Sequence, residues 1–287
     1  MFVYLNGQFV PKQQAKVSVF DHGFLYGDGA FEGIRSYNRV VFKLEEHIDR
    51  LYETTHTLMI KIPFTKKEMI KAVVETLKRN NLRDAYIRVI VTRGEGDLGL
   101  DPRKCFGHPG IVIIADKITL YSDELYKKGM EIITVATQRN HQEALNPRLK
   151  SLNYLNNILA KIEANTSGYS EAIMLDTQGF VAECTGDNIF IIKKGTLSTP
   201  SQGRLRGITR DAVLGLAEKS KWKTFEGQIT RHDVYNADEC FLTGTAAEII
   251  PVVKVDGRQI NDGKPGLVTQ KMMKLFRDLT KKDGVKY

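Results

Sequence analysis

The sequence predicts an α+β protein of two domains, because strands follow strands and the helices stand apart from them. Apolar and polar side chains alternate through much of residues 1–116, and two amphipathic helices interrupt that pattern. Hairpins of short apolar strands fill much of the second half. We therefore expect a smaller N-terminal domain over 1–116, a linker over 117–125 and a larger domain over 126–287.

The first half contains two predicted helices, at residues 45–58 and 66–80. Thr65 and Glu68 have the spacing of a capping box, which stabilises the N-terminus of the second helix. The well-marked strands of this half are Ala85–Thr92 and Ile111–Ala115. Periodicity is lost from Asp116 to Ser122, and this loss places the linker there.

The second half begins with a helix-and-strand pattern at Asp123 and continues with a predicted helix from Ser151 to about Asn165. Two hairpins follow, EAIMLD-TQG-FVAE and NIFII-KKG-TLST, in which turn residues separate short apolar strands. We expect a helix after Gly207 and another helix at the end of the chain.

Composition narrows the functional classes. The 287 residues carry a net charge of +8, but basic and acidic residues are interleaved in KLEEHIDRLYE and KKEMIKAVVETLKRN, which favours solvated helix faces over a nucleic-acid surface. No apolar run approaches the roughly 18 residues that span a bilayer, and the first residues do not resemble a secretion signal. The three cysteines are far apart and indicate neither disulfides nor a metal site. We expect a cytoplasmic protein.

One glycine motif is typical of a different class of protein, one that binds a dinucleotide. The segment from Gly94 to Gly99 matches the G-x-G-x-x-G fingerprint of dinucleotide sites and follows a predicted strand. In such a site the third glycine lies within a helix whose N-terminus faces the pyrophosphate. Pro102, Gly107 and Gly110 prevent a helix here, so a nucleotide-dependent oxidoreductase is disfavoured.

Lys150 is the candidate reactive amine. It stands at the start of the predicted helix, with Tyr154 four residues later on the same helical face. A lysine amine forms a Schiff base with an aldehyde cofactor, and a helix N-terminus disfavours the ammonium form. Taken alone, such a lysine is far more often a surface charge. Tyr154 is placed to hydrogen-bond the cofactor's phenolic oxygen.

Glu183 is the candidate partner of a pyridine nitrogen, which must stay protonated for the ring to withdraw electrons. It ends a hairpin strand, and the small, turn-prone residues after it allow a flat ring to approach the backbone. The alternative is an ordinary hairpin acid.

Two segments are candidate anion sites. Gly207 stands at the entrance of a predicted helix, whose first amides, at Ile208 and Thr209, suit a phosphate. The small-residue segment Thr243–Ala247 offers a second cluster of amides and hydroxyls. Either segment alone is more often structural than functional.

Together these segments resemble the class IV, fold-type IV aminotransferases, which use pyridoxal 5'-phosphate. Lys150 with Tyr154, ECTGDNIF, LSTP, LRGITR and GTAAE occur in the family's order, and the resemblance covers nearly the whole chain. It implies a larger C-terminal domain with the cofactor between it and the smaller domain. The segments DHGFLYGDGAFEGIR and AYIRVIVTRGEGDLGLDPRKC resemble the branched-chain amino acid aminotransferases in particular.

The resemblance implies a role for each matching residue. Lys150 is the Schiff-base lysine, Glu183 faces the pyridine nitrogen, Tyr154 lies beside the phenolic oxygen and Leu205 lies beneath the ring. The residues that hold the phosphate are Arg50, Gly207, Ile208, Thr209 and Thr245. The substrate pocket is lined by Phe31, Tyr86, Arg88, Gly186 and Ala246, with Tyr26 and Leu100 from the neighbouring subunit. A homodimer, at least, with shared active sites is thereby implied.

Strand alternation agrees with this pocket. It places Tyr86 and Arg88 on one face and turns Ala85, Ile87 and Val89 toward the core. Arg88 then offers the distal carboxylate of glutamate a charged partner in a pocket that otherwise accepts apolar side chains.

The implied activity is ping-pong transamination between leucine, isoleucine or valine and 2-oxoglutarate. A D-amino acid aminotransferase and an aminodeoxychorismate-type lyase share the cofactor motifs but differ around Tyr86–Leu100, and a non-catalytic basic binding protein is a third alternative. One departure is that only the five residues Pro200–Arg204 separate LST from LRGITR, a shorter spacing than is usual in the family.

Overall fold

The computed structural model describes residues 1–118 and 121–287, so Thr119 and Leu120 of the predicted linker lie outside the described residues. The chain forms two compact units. The first unit comprises residues 1–118, 149–153 and 280–287, and the second comprises the described residues of 119–148 together with 154–279. Each unit is built around its own sheet.

The regular elements bear out the predicted α+β class. The α-helices are α1 (His22–Tyr26), α2 (Leu44–Thr57), α3 (Lys66–Arg79), α4 (Asp123–Lys128), α5 (Leu155–Thr166), α6 (Ile208–Lys219), α7 (Arg231–Tyr235) and α8 (Leu267–Thr280). The strands are β1 (Phe2–Leu5), β2 (Gln8–Pro11), β3 (Gly29–Tyr37), β4 (Val40–Phe42), β5 (Ala85–Thr92), β6 (Ile111–Asp116), β7 (Met130–Thr134), β8 (Ala172–Leu175), β9 (Val181–Cys184), β10 (Asn188–Lys193), β11 (Thr196–Pro200), β12 (Lys223–Gly227), β13 (Glu239–Gly244), β14 (Glu248–Val255), β15 (Arg258–Gln259) and β16 (Gly284–Lys286). Within the described chain, no helix combines the length and the apolar composition needed to cross a membrane.

The first unit is an antiparallel sheet in the strand order β16-β4-β3-β5-β6-β1-β2. Helices α2 and α3 pack against it, and their amphipathic faces bury side chains such as Ile48 and Val73 against Ile87 of β5. The predicted capping box is confirmed, since the side chains of Thr65 and Glu68 each accept a backbone N–H at the start of α3. The core of this unit therefore lies on the helix side of β3 and β5.

The second unit is a mixed sheet in the order β12-β11-β10-β13-β14-β7-β8-β9, with β15 paired to β14. Both predicted hairpins are confirmed, as β8 pairs with β9 and β10 with β11. The rings of Phe190 and Phe241 stack at 5.0 Å where β10 lies beside β13. Short turns at the strand ends then carry most of this unit's candidate site residues.

Two predicted boundaries are wrong. Helix α5 begins at Leu155 rather than Ser151, because the backbone before it is committed to β3: Phe31 N–H donates to Lys150 O and Leu152 N–H donates to Gly29 O, each at 2.9 Å. Backbone N–H and C=O groups that hydrogen-bond to a strand cannot also form the hydrogen bonds of a helix. The chain also ends in a strand rather than a helix, since β16 follows α8 and pairs with β4.

The glycine motif at 94–99 does not open an α-helix. The next regular element after it is a single 3-10 turn at Pro102–Lys104, and the following strand is β6. The prediction against a dinucleotide helix at this point is confirmed.

Candidate active site

The predicted site residues divide between the two units. Those in the first unit are Tyr26, Phe31, Arg50, Tyr86, Arg88, Leu100 and Lys150. Those in the second unit are Tyr154, Glu183, Gly186, Leu205, Gly207, Ile208, Thr209, Thr245 and Ala246.

In the first unit, β5 presents the predicted pocket face. Ala85, Ile87 and Val89 are buried, whereas Tyr86 and Arg88 are partly exposed on the other face. This alternation is what a strand with one core-facing side produces. Arg88 Nη2 donates to the Tyr86 hydroxyl at 3.0 Å, so the two side chains hold each other in place.

Strand β3 adds Phe31 to the same face. The antiparallel register sets Gly33 opposite Arg88, and residues two apart on a strand share a face, so Phe31 points to the Arg88 side. Gly33 leaves room for the pocket tyrosine, because a Cβ there would lie 2.2 Å from the Tyr86 hydroxyl oxygen. The guanidinium carbon of Arg88 lies 4.5 Å from the centre of the Phe31 ring.

Lys150 reaches this face from the neighbouring backbone. Ser151 pairs antiparallel with Ala30, which places Lys150 opposite Phe31. The Lys150 Nζ lies 4.5 Å from the Phe31 ring centre, so one ring contacts both Lys150 and Arg88. The sequence-based reason for choosing Lys150, a helix N-terminus with Tyr154 on the same helical face, is therefore wrong. The sheet presents the amine instead, and Tyr154 is the N-cap residue of α5.

Arg50 lies on the opposite, core-facing side of β3, where it is paired with Glu32. Its Nε and Nη2 donate to the two oxygens of Glu32 at 2.7 and 2.8 Å, and His47 Nδ1 meets the same carboxylate at 2.7 Å. Burial alone would raise the pKa of Glu32, but the Arg50 charge and the hydrogen bonds outweigh burial and hold that pKa well below its ordinary value. Burial lowers the pKa of His47. The charge and the hydrogen bond of Glu32 raise this pKa, but they offset the effect of burial only in part. A charged carboxylate thus fixes the orientation of Arg50.

In the second unit, Glu183 is the last but one residue of β9 and is 4% exposed. One carboxylate oxygen accepts Arg139 Nε at 2.7 Å, and the other accepts Leu205 N–H at 3.0 Å and Asn188 Nδ2 at 3.3 Å. These three donors determine the direction of the carboxylate.

The turn from Leu205 to Thr209 leads into α6. Asn188 Nδ2 also donates to Leu205 O at 3.0 Å, so the turn is tied to Asn188 as well as to Glu183. Gly207 is the N-cap residue, and a Cβ there would lie 2.1 Å from Asn188 Oδ1. No side chain caps this helix among the described residues, so the first amides of α6 suit an anion.

Two further turns carry Gly186 and Ala246. Gly186 lies between β9 and β10, and Ala246 lies between β13 and β14. The peptide groups of Thr185 are held by buried side chains: its N–H donates to Glu171 Oε1 at 2.7 Å, and its carbonyl accepts Asn157 Nδ2 at 2.9 Å. A Cβ added to Gly186 would meet nothing within 4 Å, so the space beside this turn is open.

Asp187 follows that turn and is buried. Burial, together with the charge of nearby Glu171, raises the pKa of Asp187 to about 8. Its Oδ1 lies where a Cβ on Gly244 would be, at 1.9 Å from that position, so Gly244 must lack a side chain. Asp187 thereby fills the space between the Gly186 turn and the Gly244 turn.

Several of these supporting residues were not predicted. Glu32 carries a signal, since alternation along β3 turns it toward the core, where a carboxylate requires partners. His47 and Arg50 lie three apart on α2, which puts them on one helical face. Arg139 carries no such signal, because it meets Glu183 from 44 residues away.

These donors fit pyridoxal phosphate. The cofactor requires a primary amine, a carboxylate for the ring nitrogen, and amide and cationic donors for a phosphate. In the first unit Lys150 is such an amine, and in the second unit Glu183 is an anchored carboxylate and Gly207 opens an uncapped helix N-terminus. Arg50 adds a guanidinium whose direction is set by Glu32.

The fold and these donors define a class of pyridoxal-phosphate aminotransferase, and the comparison with known families agrees. The sequence matches the family Amino-transferase class IV over residues 29–255. The chain belongs to this family.

Individual similar proteins narrow the class further. A relative from Methanocaldococcus jannaschii, provisionally named a branched-chain-amino-acid aminotransferase, is 57% identical over 288 residues, covering 100% of this chain and 99% of its own. The T.th. branched-chain amino acid aminotransferase with pyridoxamine 5'-phosphate superposes with a TM-score of 0.93 at 35% identity, covering 98% of this chain and 94% of that one. The same T.th. enzyme complexed with N-(5'-phosphopyridoxyl)-L-glutamate gives a TM-score of 0.92 at 34% identity, with the same coverage.

Proposed function

We propose that this chain catalyses pyridoxal-phosphate-dependent transamination between L-leucine, L-isoleucine or L-valine and 2-oxoglutarate by a ping-pong mechanism. The observation that carries the proposal is the arrangement of Phe31, Tyr86, Arg88 and Lys150 on one sheet face, in a chain similar over its whole length to branched-chain aminotransferases. An aromatic surface for an apolar side chain and a guanidinium for a carboxylate then lie beside the reactive amine.

Lys150 is the residue that attaches the cofactor and moves the proton. When bound, pyridoxal phosphate supplies a conjugated ring that accepts the electron pair left by the departing α-proton. With the cofactor bound, the freed Lys150 Nζ would take the α-proton of the amino acid and return it to the carbon of the cofactor that bears the transferred amino group. Phe31, against which Nζ rests, keeps the amine on the pocket face.

Glu183 would hold the proton of the pyridine nitrogen, and Arg139, Asn188 and the Leu205 N–H keep its carboxylate aimed. Tyr154 would donate to the phenolic oxygen of the cofactor, and Leu205 would pack against its ring.

Two kinds of donor hold the phosphate. The turn from Gly207 through Ile208 to Thr209 offers helix N-terminal amides, and Thr245 adds donors from the β13–β14 turn. Arg50, with its direction set by Glu32, contributes positive charge.

The substrate is recognised at both ends. Phe31 and Tyr86 enclose a branched side chain, whereas Arg88 accepts the distal carboxylate of glutamate or 2-oxoglutarate. The α-carboxylate goes to the Thr245 and Ala246 amides and to Tyr86. Gly186 leaves the substrate room.

A homodimer with shared active sites is part of the proposal. The first unit exposes an apolar set on its N-terminal segment and on the loop after β5: Val17, Val19, Phe20, Phe24, Leu98, Leu100 and Phe106. Helix α5 exposes an apolar stripe with helical spacing: Leu155, Ile158, Leu159 and Ile162. Apolar surface on this scale is typical of an interface between subunits. Tyr26 and Leu100, the latter 78% exposed, are the residues expected to reach a neighbouring pocket. We place this assembly in the cytoplasm.

A substrate panel tests the function directly. Single-turnover spectra of the purified holoenzyme with L-leucine, L-isoleucine, L-valine, L-glutamate and D-alanine should show rapid conversion with the L-amino acids. Faster turnover of D-alanine than of L-leucine would assign the chain to the D-amino acid branch. Pyruvate release from aminodeoxychorismate would indicate the lyase, and a colourless protein without bound cofactor would indicate a binding protein.

Replacing Arg88 by Leu tests the dual recognition. A hydrogen bond to a charged group contributes about 1.5–3 kcal/mol, so the 2-oxoglutarate half-reaction should weaken about ten- to a hundred-fold. The leucine half-reaction should change much less, because its side chain has no charge to lose. Arg35→Leu is the matched control, because Arg35 pairs with Tyr86, two register pairs away from Arg88 on the same face. Equal damage to both half-reactions would make Arg88 a structural or α-carboxylate residue.

A further inference from the structure

Two buried arginines bracket the turn proposed to hold the cofactor phosphate. Arg204 directly precedes Leu205, and Arg210 directly follows Thr209. Arg204 is 7% exposed and Arg210 is 2% exposed, although arginine is almost never buried without partners. Their partners therefore determine where the two ends of the turn lie.

Both arginines converge on the same two acceptors. Arg204 Nε donates to Pro200 O at 2.8 Å, and Arg210 Nη2 donates to the same carbonyl at 3.2 Å. Arg210 Nη2 also hydrogen-bonds Glu226 Oε2, which lies 3.6 Å from Arg204 Nη2. Pro200 ends β11 and Glu226 belongs to the parallel strand β12, so both acceptors belong to the sheet.

The arrangement is electrostatically unbalanced toward positive charge. Two guanidinium groups share Glu226, and the other nearby acid, Asp211, is also engaged by Arg206. Burial, and then the charge of Arg210, lowers the pKa of Arg204 to about 10. Positive charge that the local acids neutralise only in part favours an anion on the adjacent turn.

We propose that Arg204, Arg210 and Glu226 form a clamp that positions the Leu205–Thr209 turn for the cofactor phosphate; this proposal rests on the proposed function. The three are positioning residues, since they act through the turn. The clamp also accounts for the short Pro200–Arg204 connection, because both arginines fasten the turn to Pro200 at the start of that connection.

Equilibrium binding of pyridoxal phosphate and of pyridoxal, which lacks the phosphate, to the cofactor-depleted full-length protein tests the clamp. Wild type should prefer pyridoxal phosphate by about a hundred-fold or more, since the phosphate makes charge-assisted hydrogen bonds. Arg204→Gln and Glu226→Gln should each weaken pyridoxal phosphate binding about ten-fold and leave pyridoxal binding within about three-fold. In Glu226→Gln the loss of the acceptor that holds both arginines outweighs the gain in positive charge. The Glu226 side chain is 46% exposed, so its replacement does not open the core.

Arg206→Gln is the matched control, because it removes the same charge from the same turn at a side chain that is 75% exposed. Its preference for pyridoxal phosphate should equal that of wild type. An unchanged preference in both clamp variants would overturn the clamp alone, as would equal loss in Arg206→Gln, which would indicate a general charge effect. A wild type that does not distinguish the two ligands would overturn the proposed function together with the clamp.

Discussion

Each unit contains a buried carboxylate paired with an arginine. The residue proposed to contact the cofactor is the arginine in one pair and the acid in the other. In the first unit Glu32 meets Arg50 and His47, and Arg50 is the residue proposed to contact the cofactor. In the second unit Arg139 meets Glu183, and the acid is the proposed contact. The same interaction thus positions a cation in one unit and an anion in the other.

The hydrogen-bond donors to the two acids explain why the proposed contact differs between the pairs. Both oxygens of Glu32 are occupied by the side chains of Arg50 and His47, so this acid is fully engaged inside the core. Both oxygens of Glu183 are occupied as well, but one of its three donors is the Leu205 N–H, which belongs to the backbone of the turn that leads into α6. The neighbours of a buried ion pair, rather than the pair itself, therefore indicate which partner is functional.

The largest expected effect comes from the one proposed catalytic group outside both pairs. Lys150→Ala should slow the half-reaction with L-leucine about 10⁴-fold or more, because it removes both the covalent attachment and the base. Stopped-flow absorbance measures the rate, and Lys193→Ala in β10 is the control. Borohydride reduction of wild type followed by peptide mapping should label Lys150, and a label on any other lysine would contradict the assignment.

Glu183→Gln should separate chemistry from binding. We expect α-proton removal to slow about a hundred-fold or more, since two pKa units at the ring nitrogen correspond to about 2.7 kcal/mol. Cofactor affinity should stay within about three-fold, because the amide retains its shape and one acceptor oxygen. A primary isotope effect with α-deuterated leucine would locate the slow step, and an unchanged half-reaction rate would rule out this role.

Glu32→Gln should weaken cofactor binding and leave the chemical step nearly unchanged. Arg50 loses its charged partner, so pyridoxal phosphate affinity should fall about ten-fold, as expected for weakening one charge-assisted hydrogen bond. Once the variant is saturated with cofactor, its half-reaction rate should approach that of wild type. A Glu32→Gln variant that binds pyridoxal phosphate normally but reacts slowly would mean that the Glu32–Arg50 pair, like the pair of Glu183, acts in the chemical step.

The smallest effect is a pH dependence of stability specific to the first pair. His47 has a lowered pKa in the folded state, so the unfolded chain binds more protons below its ordinary value of 6.5, and stability falls as the pH drops through that region. The pKa of Glu32 is also lowered in the folded state, so its contribution to stability likewise falls as the pH drops below the ordinary value of 4.5.

Urea denaturation at pH 7.5, 5.5 and 4 measures this dependence. His47→Gln should lose less stability than wild type between the first two pH values, and Glu32→Gln should lose less between the last two. Parallel losses in wild type and both variants would show that other groups control the acid response.

Local signals predicted much of the fold. The capping box at Thr65 and Glu68, the alternation along Ala85–Thr92 and the two hairpins of the second half all depend on neighbours in sequence, and all are confirmed. The helix start at Ser151 was wrong because residues 150–152 pair with β3, more than a hundred residues away in the chain. The final strand β16 was missed for the same reason, since its partner is β4.

The sequence by itself determined the family and located the segments that carry the proposed lysine, acid and phosphate turn, because such motifs are residue types at short spacing. Only the tertiary structure decided that an isolated β-bridge to β3 places Lys150 opposite Phe31, and that Arg139 rather than a nearer residue holds Glu183. Strand register and buried ion pairs join distant parts of the chain, and their stability comes from burial and from hydrogen bonds to those partners. No local pattern in the sequence records which partner a strand or a buried charge will find.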